Sequence, residues 1–122
     1  MTNCLQNEAT YVLVCGGRDY ADYPQVQSVL RACLNDTDVI VHGGARGADS
    51  IAGEVAKEVL GKEVIVHSAN WSKYGRAAGP IRNKEMLDSH PIRLVIAFAG
   101  GNGTQDMVRR ARQANIPVVT SG

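Results

Sequence analysis

Five short apolar runs alternate along the chain with segments that have helical periodicity. The runs cover residues 11–15, 39–42, 63–67, 94–98 and 116–120, and most are nearly continuous in Val, Ile and Leu. Continuous apolar strands are typical of a parallel sheet that is covered on both faces. The pattern therefore predicts five strands in a layered α/β domain.

The segments between the runs carry apolar stripes at helical spacing. A first helix is predicted to begin near Pro24, and a second to cover residues 51–60, with Gly61 as its C-terminal cap. A third is predicted from Pro80 to about residue 89, and a fourth from about residue 104 to 114.

This alternation predicts right-handed βαβ crossovers and a Rossmann-like open parallel sheet of about five strands, with helices on both faces. Pro117 falls inside the last predicted strand, which indicates an edge position because proline cannot donate a ladder hydrogen bond. The length of 122 residues suits a single domain over residues 1–122, in which residues 1–9 form a loose polar lead-in.

Composition narrows the classes of function. The 13 Lys and Arg balance 12 Asp and Glu, which weighs against nucleic acid as a partner. No apolar run approaches the roughly 20 residues of a membrane span. The three Cys and three His lack the spacing of metal ligands, so we expect no metal, no cofactor and reduced thiols in a cytoplasm.

Ten of the 13 glycines follow predicted strands. Ligands bind at the carboxyl ends of strands in an open α/β sheet, so these glycines are expected to share one edge. A glycine-rich turn that enters a helix exposes backbone N–H groups and suits phosphate; the chain has two, at 43–50 and 100–104. Neither ends in the Gly-Lys-Ser/Thr of a Walker loop. The ten are Gly16, Gly17, Gly43, Gly44, Gly47, Gly75, Gly79, Gly100, Gly101 and Gly103.

Side chains that suit a nucleotide follow the same strands. Arginine holds phosphate with two hydrogen bonds, a carboxylate accepts hydrogen bonds from ribose, and an aromatic ring stacks on a base. Each also has a plainer interpretation, as a solvated side chain, a helix cap or an aromatic ring folded onto the domain. The candidates are Arg18, Arg46, Lys73, Arg76 and Arg82 for phosphate, Asp19 and Asp49 for ribose, and Trp71 and Tyr74 for a base.

Four segments carry a family resemblance: CGGRDY at 15–20, GGARGAD at 43–49, GPIRNKEM at 79–86 and GGNGT at 100–104. Together they resemble the YspA/YpsA-like branch of the SLOG superfamily, named for the Smf/DprA proteins and the "lonely guy" phosphoribohydrolases. The resemblance implies binding of a phosphate-containing nucleotide or of a molecule derived from NAD or ADP-ribose. It also implies a sensor or sequestering protein of a bacterium or a phage, which would act in the cytoplasm of the bacterium or of the phage's host. Its motifs add Asn83, Asn102 and Thr104 to the ligand-binding candidates.

The resemblance to the phosphoribohydrolases implies an alternative, hydrolysis of a nucleoside monophosphate at its N-glycosidic bond. Their catalytic arginine falls on Arg82, and their phosphate loop falls on residues 100–104. Their catalytic glutamate falls on Met107, which cannot transfer a proton. In this alternative Arg82 stabilises the departing charge, and Glu85 or Asp106 is the acid–base group.

The segment 45–49 also resembles the Ala-Arg-Gly-Ile-Asp motif of DprA, which makes DNA binding a third hypothesis, against which the near-neutral charge weighs. A homo-oligomer, most simply a dimer, is expected from the aromatic residues of segment 68–79 and the apolar Ile81, Met86 and Leu87 of the third helix. The phosphoribohydrolases are dimers, so the resemblance points the same way.

Overall fold

The computed structural model describes residues 8–121, so most of the lead-in predicted for residues 1–9 lies outside the described residues. Five strands, β1 (Thr10–Cys15), β2 (Asp38–His42), β3 (Val64–Val66), β4 (Ile92–Phe98) and β5 (Val118–Ser121), form one sheet in the order β3-β2-β1-β4-β5. All four pairings are parallel. The predicted Rossmann-like open sheet is confirmed.

Helices follow the strands in the predicted alternation. They are α1 (Tyr23–Cys33), α2 (Ala48–Glu54), α3 (Trp71–Tyr74), α4 (Ala78–Ser89) and α5 (Asn102–Gln113). A π-helical turn, Val55–Val59, continues α2, and a 3₁₀ turn, Gly75–Ala77, joins α3 to α4. Among residues 8–121 no helix is long and apolar enough to cross a membrane.

Alternate residues of the central strand β1 point into two separate cores. Val12 and Val14 pack with α1 and α2, whereas Leu13 and Cys15 pack with α4 and α5. Because side chains alternate across a strand, a strand between two helical layers must be apolar at every position. This explains the continuous apolar runs and confirms helices on both faces.

Several predicted boundaries differ from the structure. β5 begins at Val118, so Pro117 precedes the strand; its carbonyl accepts a hydrogen bond from the Val95 N–H at 2.9 Å. β5 is nevertheless an edge strand. α4 begins two residues before Pro80, which the first turn tolerates because the N–H that proline lacks has no intrahelical partner there. α2 begins at Ala48 rather than at residue 51.

The segment 68–79 was predicted as a long connection and contains α3 and the 3₁₀ turn. The Asn70 side chain caps α3 by accepting a hydrogen bond from the Lys73 N–H at 3.1 Å. None of residues 71–77 is buried. This exposed helical segment, residues 71–77, is called the strap below.

A buried carboxylate ties the amino ends of three strands together. Asp38 accepts hydrogen bonds from the Thr10 hydroxyl at 2.6 Å, the Asn35 N–H at 2.8 Å and the Arg93 Nε at 2.8 Å. Burial alone would raise the pKa of Asp38, but these hydrogen bonds outweigh it and lower the pKa to about 2. The cluster lies at the edge of the sheet opposite to the glycine-rich loops.

Candidate functional site

Three loops meet at the carboxyl edge of the sheet in contacts that only glycine allows. The Gly17 N–H donates to the Ala99 carbonyl at 2.8 Å, and a Cβ on Gly100 would lie 2.6 Å from the Gly17 nitrogen. A Cβ on Gly16 would lie 2.5 Å from that of Ala48. Gly47 has φ +81°, and a Cβ there would collide with the Gly17 and Arg18 carbonyls. Packing therefore explains these four glycines.

Gly101 and Gly103 are glycines for which the fold gives no such reason. A Cβ on either would meet nothing within 4 Å, and neither has a positive φ. Gly103 lies inside the first turn of α5, where glycine costs roughly 1 kcal/mol relative to alanine. Both residues line a cavity, so the missing side chains leave its wall open.

This main cavity has a volume of about 430 Å³ and lies above the carboxyl ends of β1 and β4. Thirteen of the site residues predicted from the sequence line it. They are Gly16, Gly17, Arg18, Asp49, Trp71, Arg76, Arg82, Asn83, Gly101, Asn102, Gly103, Thr104 and Asp106.

A second cavity of about 390 Å³ adjoins the first, and the two share Arg18, Ala45, Trp71 and Arg82 as a common wall. The predicted residues Gly43, Gly44 and Arg46 line the second cavity. Six predicted site residues line neither cavity. These are Asp19, Gly47, Lys73, Tyr74, Glu85 and Gly100.

The loop 43–50 uses its N–H groups internally. Asp49 Oδ2 accepts from the N–H of Gly43 at 3.0 Å and of Ala45 at 3.4 Å, and the Gly44 N–H donates to His42 Nδ1 at 2.9 Å. The phosphate cradle expected of Gly43 and Gly44 is therefore already filled by protein groups. Sequence reasoning missed this because both the carboxylate and the imidazole are local acceptors whose direction only the fold decides.

Burial raises the pKa of Asp49 to about 6; the hydrogen bonds from Ala45 and Gly43 and the nearby Arg82 and Arg18 limit the rise. Burial also raises the pKa of Cys15, on the cavity floor, to about 12, with Asp49 adding to the rise. The Cys15 thiol is therefore protonated at neutral pH and is no nucleophile.

Arg82 lies between the two cavities in a fixed orientation. Its Nη1 donates to the Gly43 carbonyl at 2.6 Å, and its Nε donates to Asn83 Oδ1 at 3.1 Å. Burial lowers the pKa of Arg82, and Asp49 opposes this shift; the guanidinium remains charged at neutral pH because arginine is protonated in proteins. Donors of the same guanidinium that these two bonds do not use remain available to a ligand.

Asn83 holds the first turn of α5 rather than standing free in the cavity. Its Nδ2 donates to the Gly103 carbonyl at 3.2 Å and to Asp106 Oδ2 at 3.0 Å. Asn83 is buried, and its side-chain oxygen accepts a hydrogen bond from the Arg82 Nε. It therefore links Arg82 to α5.

Asp106 is fully engaged as a carboxylate. Arg109 Nη2 lies 2.6 Å from Oδ1 and Arg110 Nε 2.8 Å from Oδ2. Burial would raise the pKa of Asp106, but the hydrogen bonds from Arg110 and Asn83 outweigh it and lower the pKa. Met107 is completely buried in the core. No proton donor therefore stands where the phosphoribohydrolase resemblance requires one.

The strap carries one aromatic ring into the site and leaves the other outside. The Arg18 guanidinium lies 5.5 Å from the centre of the Trp71 ring, which lines both cavities. Tyr74 instead pairs with the Lys73 ammonium at 5.1 Å. Asp19 forms an ion pair with Arg46 at 3.3 Å, with side chains 95% and 75% exposed.

Some lining residues were not predicted from the sequence. Ser68 and Ala69 line the second cavity, and Pro80 and Met86 the main one. Position after a strand is the signal that could have found Ser68. Met86 and Leu87 pack into the core, so they do not form the free apolar surface from which an interface on α4 was predicted. Residues 8–121 contain no cluster of three or more His, Cys, Asp or Glu side chains suited to a metal ion.

Comparisons with known proteins agree with this fold. The X-ray structure of DNA processing protein A (DprA) from Streptococcus pneumoniae matches with a TM-score of 0.59 at 21% identity, over 98% of this chain and 61% of the DprA chain. At that identity the likeness concerns the fold alone. "Gene 61 protein" of Mycobacterium phage D29 is 37% identical over 120 residues, which cover 91% of this chain and 95% of that protein.

The open parallel sheet with glycine-rich loops at its carboxyl edge defines a Rossmann-like α/β protein. The family model described as "YspA, cpYpsA-related SLOG family" matches residues 10–74. The chain belongs to this family. Membership indicates nucleotide-related binding or processing.

Proposed function

We propose that the protein binds a phosphate-containing nucleotide derivative of the NAD or ADP-ribose kind in the two adjoining cavities, as a sensor or sequestering protein. The observation that carries the proposal is the open amino terminus of α5. The first intrahelical bond there runs from the Gln105 N–H to the Gly101 carbonyl at 3.0 Å. The preceding N–H groups, of Asn102, Gly103 and Thr104, are the donors that a helix start leaves for an anion.

Within residues 8–121 no side chain caps this terminus. Gly101 and Gly103 add no Cβ that would keep a phosphate away, although glycine inside a helix is unfavourable. Unused donors, the positive end of the helix dipole and an open wall together favour phosphate at this point. Of the two glycine-rich turns predicted from the sequence, we therefore assign phosphate to 100–104 and not to 43–50.

Charge supports the same assignment. Arg18, Arg76 and Arg82 line the main cavity, and the two carboxylates there are Asp49 and Asp106. Asp106 is neutralised by two arginines, so it repels an anion little. The arginines outnumber the remaining carboxylate, which favours a ligand with more than one negative charge.

The two cavities favour a ligand with two parts. Arg82 and Trp71 lie on the shared wall, where a guanidinium can hold a diphosphate bridge and an indole can stack on a base. A mononucleotide fills one compartment, whereas ADP-ribose has a second ribose for the other. Asp49, with its buried carboxyl group at the main cavity, is the better candidate for a ribose hydroxyl; Asp19 is in neither cavity.

One observation favours the alternative, an N-glycosidase. Asp49 is a buried carboxyl group in the main cavity, and its pKa of about 6 suits proton transfer near neutral pH. Two other acid–base groups were indicated by the sequence. Glu85 is exposed and lines neither cavity, and Asp106 is paired with Arg109 and Arg110. Chromatography of AMP after long incubation tests this alternative; released adenine that Asp49→Asn abolishes would support it.

DNA binding remains the third hypothesis. It rests on the DprA-like segment 45–49. The structure adds a group of arginines on α5, Arg109, Arg110 and Arg112, but the first two are bound to Asp106. Fluorescence anisotropy with a labelled oligonucleotide at two salt concentrations tests it. The homodimer also stays a prediction, which light scattering with and without nucleotide would test.

The proposed function is tested by calorimetry with ADP-ribose, NAD, AMP and inorganic phosphate, each also screened for thermal stabilisation. We expect ADP-ribose or NAD to bind one per chain and more tightly than AMP, and phosphate to bind weakest. Equal affinity for AMP and ADP-ribose would contradict the two-part ligand, and no stabilisation by any nucleotide would contradict the proposed function itself.

A further inference from the structure

Two histidines that neither cavity contains face each other across the fold. His67 follows β3, and His90 follows α4. Their Nε2 atoms lie 3.1 Å apart, with ring centres separated by 5.3 Å and ring planes at 73°. The residues are 23 positions apart in sequence, so the contact is a product of the tertiary fold.

Backbone and ring contacts fix this pair. The His67 N–H donates to the His42 carbonyl at 2.9 Å, which continues the pairing of β3 with β2. The His90 ring stacks on Tyr11 of β1 at 5.0 Å with an interplanar angle of 29°. Both imidazoles are therefore positioned by the sheet rather than by each other alone.

The geometry suits a shared metal ion. Zn²⁺ binds imidazole nitrogen at about 2.0–2.1 Å, so two ligands of one tetrahedral ion lie roughly 3.3 Å apart. The two Nε2 atoms, which lie within hydrogen-bonding distance of each other, are close to that separation. Imidazole is also a preferred ligand of Zn²⁺, Ni²⁺ and Cu²⁺.

We propose that His67 and His90 bind one divalent transition-metal ion, such as Zn²⁺, Ni²⁺ or Cu²⁺, through their Nε2 atoms, with water completing the coordination. Two protein ligands make this an open and exchangeable site. It differs from the closed three- or four-ligand clusters that residues 8–121 lack.

Two charged side chains of α4 lie near the pair. Glu85 supplies a nearby negative charge, while the Arg82 cation acts against the ion.

A metal here would join the end of β3 to the end of α4. Ser68, which follows His67, lines the second cavity, and α4 carries Arg82. The ion would thus brace two elements that shape the nucleotide site without touching the ligand. The metal proposal does not depend on the proposed function, because its test needs no nucleotide.

The test uses the full chain freed of metal with a chelator. Zn²⁺ is titrated by calorimetry, and Co²⁺ by its visible absorption. We expect one ion per chain. His67→Gln and His90→Gln should each weaken metal binding by at least roughly 10–100-fold, which is the loss usually seen when a group that only hydrogen-bonds a metal ligand is removed. Asp88→Asn on α4 is the matched control; its exposed side chain pairs with Lys84, and we expect unchanged binding.

Nitrogen NMR of the unaltered chain covers the case in which a variant fails to fold. On addition of Zn²⁺ we expect the Nε2 resonances of both His67 and His90 to shift, while those of the buried His42 do not. Binding that survives both substitutions in folded variants would overturn the proposal. So would Zn²⁺ that leaves the two resonances in place.

Discussion

The Arg82 guanidinium donates to the Gly43 carbonyl at 2.6 Å, so a side chain of α4 closes the wall between two cavities by bonding to the loop after β2. The same guanidinium is oriented by Asn83. A ligand that meets it finds a donor already in place, and little side-chain entropy remains to be lost on binding.

Arg82→Lys is expected to weaken ADP-ribose binding by about 1.5–3 kcal/mol, the range for a lost hydrogen bond to a charged group. A lysine ammonium keeps the charge but cannot bond to Gly43, Asn83 and a phosphate with one planar fork. Calorimetry measures the change. Arg112→Lys, on the exposed part of α5, is the control and should bind as the parent does. Equal affinity of the two variants would contradict the assigned role of Arg82.

Gly103→Val is expected to abolish ADP-ribose binding while the chain still folds. A Cβ at this position meets no protein atom within 4 Å, so the added side chain enters the main cavity beside the free N–H groups of α5. Valine is a better helix former than the glycine it replaces, so helix propensity gives no reason for the fold to be lost. Thermal melting and calorimetry separate stability from affinity.

Gln105→Val, two residues further along α5 and outside the main cavity, is the matched control for Gly103→Val. It places the same side chain on the same helix and should leave affinity unchanged. Loss of the fold with Gly103→Val alone would mean that glycine is required there for structure.

Asp49 should make the protein less stable as pH rises from about 4 to 6. The folded pKa of about 6 lies above the ordinary aspartate pKa of 3.8, so the folded state binds the proton more tightly across this interval. The destabilisation is complete above pH 6 and amounts to at most about 3 kcal/mol. Asp49→Asn should remove this slope, as measured by urea unfolding at pH 4, 5, 6 and 7. Parallel stability curves for parent and variant would contradict the raised pKa.

The sequence was sufficient for the arrangement of the sheet and for the edge that carries the site. Apolar runs predicted β1 and β4 because both faces of these strands are buried, and glycines after strands predicted where the loops converge. Side-chain partners were beyond the sequence. Three contacts depend on tertiary distances: the hydrogen bonds of Asp49 to N–H groups of the 43–50 turn, those of Asn83 to α5, and the contact of His67 with His90. Likewise, α3 is too short for its periodicity to be detected.

Asp38 has the opposite pH dependence and lies far from the candidate site. Its folded pKa of about 2 lies below 3.8, so its contribution to stability is present above about pH 4 and is lost as pH falls toward 2. The shift corresponds to about 2 kcal/mol. Asp38→Asn should lower stability at pH 7 and flatten its fall between pH 4 and 2, as followed by urea unfolding. A variant that keeps the acid-side slope would show that other carboxylates cause it.

Trp71 is the single tryptophan of the chain, so its fluorescence reports on the strap without interference from another indole. Its ring lines both cavities and contacts Arg18, which a stacking base would displace or cover. We expect ADP-ribose to change the emission of Trp71 in proportion to the calorimetric occupancy.

Trp71→Leu should weaken binding by about 1–3 kcal/mol, the range for one base stacked on one aromatic ring. Tyr74→Leu alters a neighbouring exposed ring that lines neither cavity and should bind as the parent does. Emission that stays constant through saturation, or equal losses in the two variants, would remove Trp71 from the binding surface and leave the strap a structural connection.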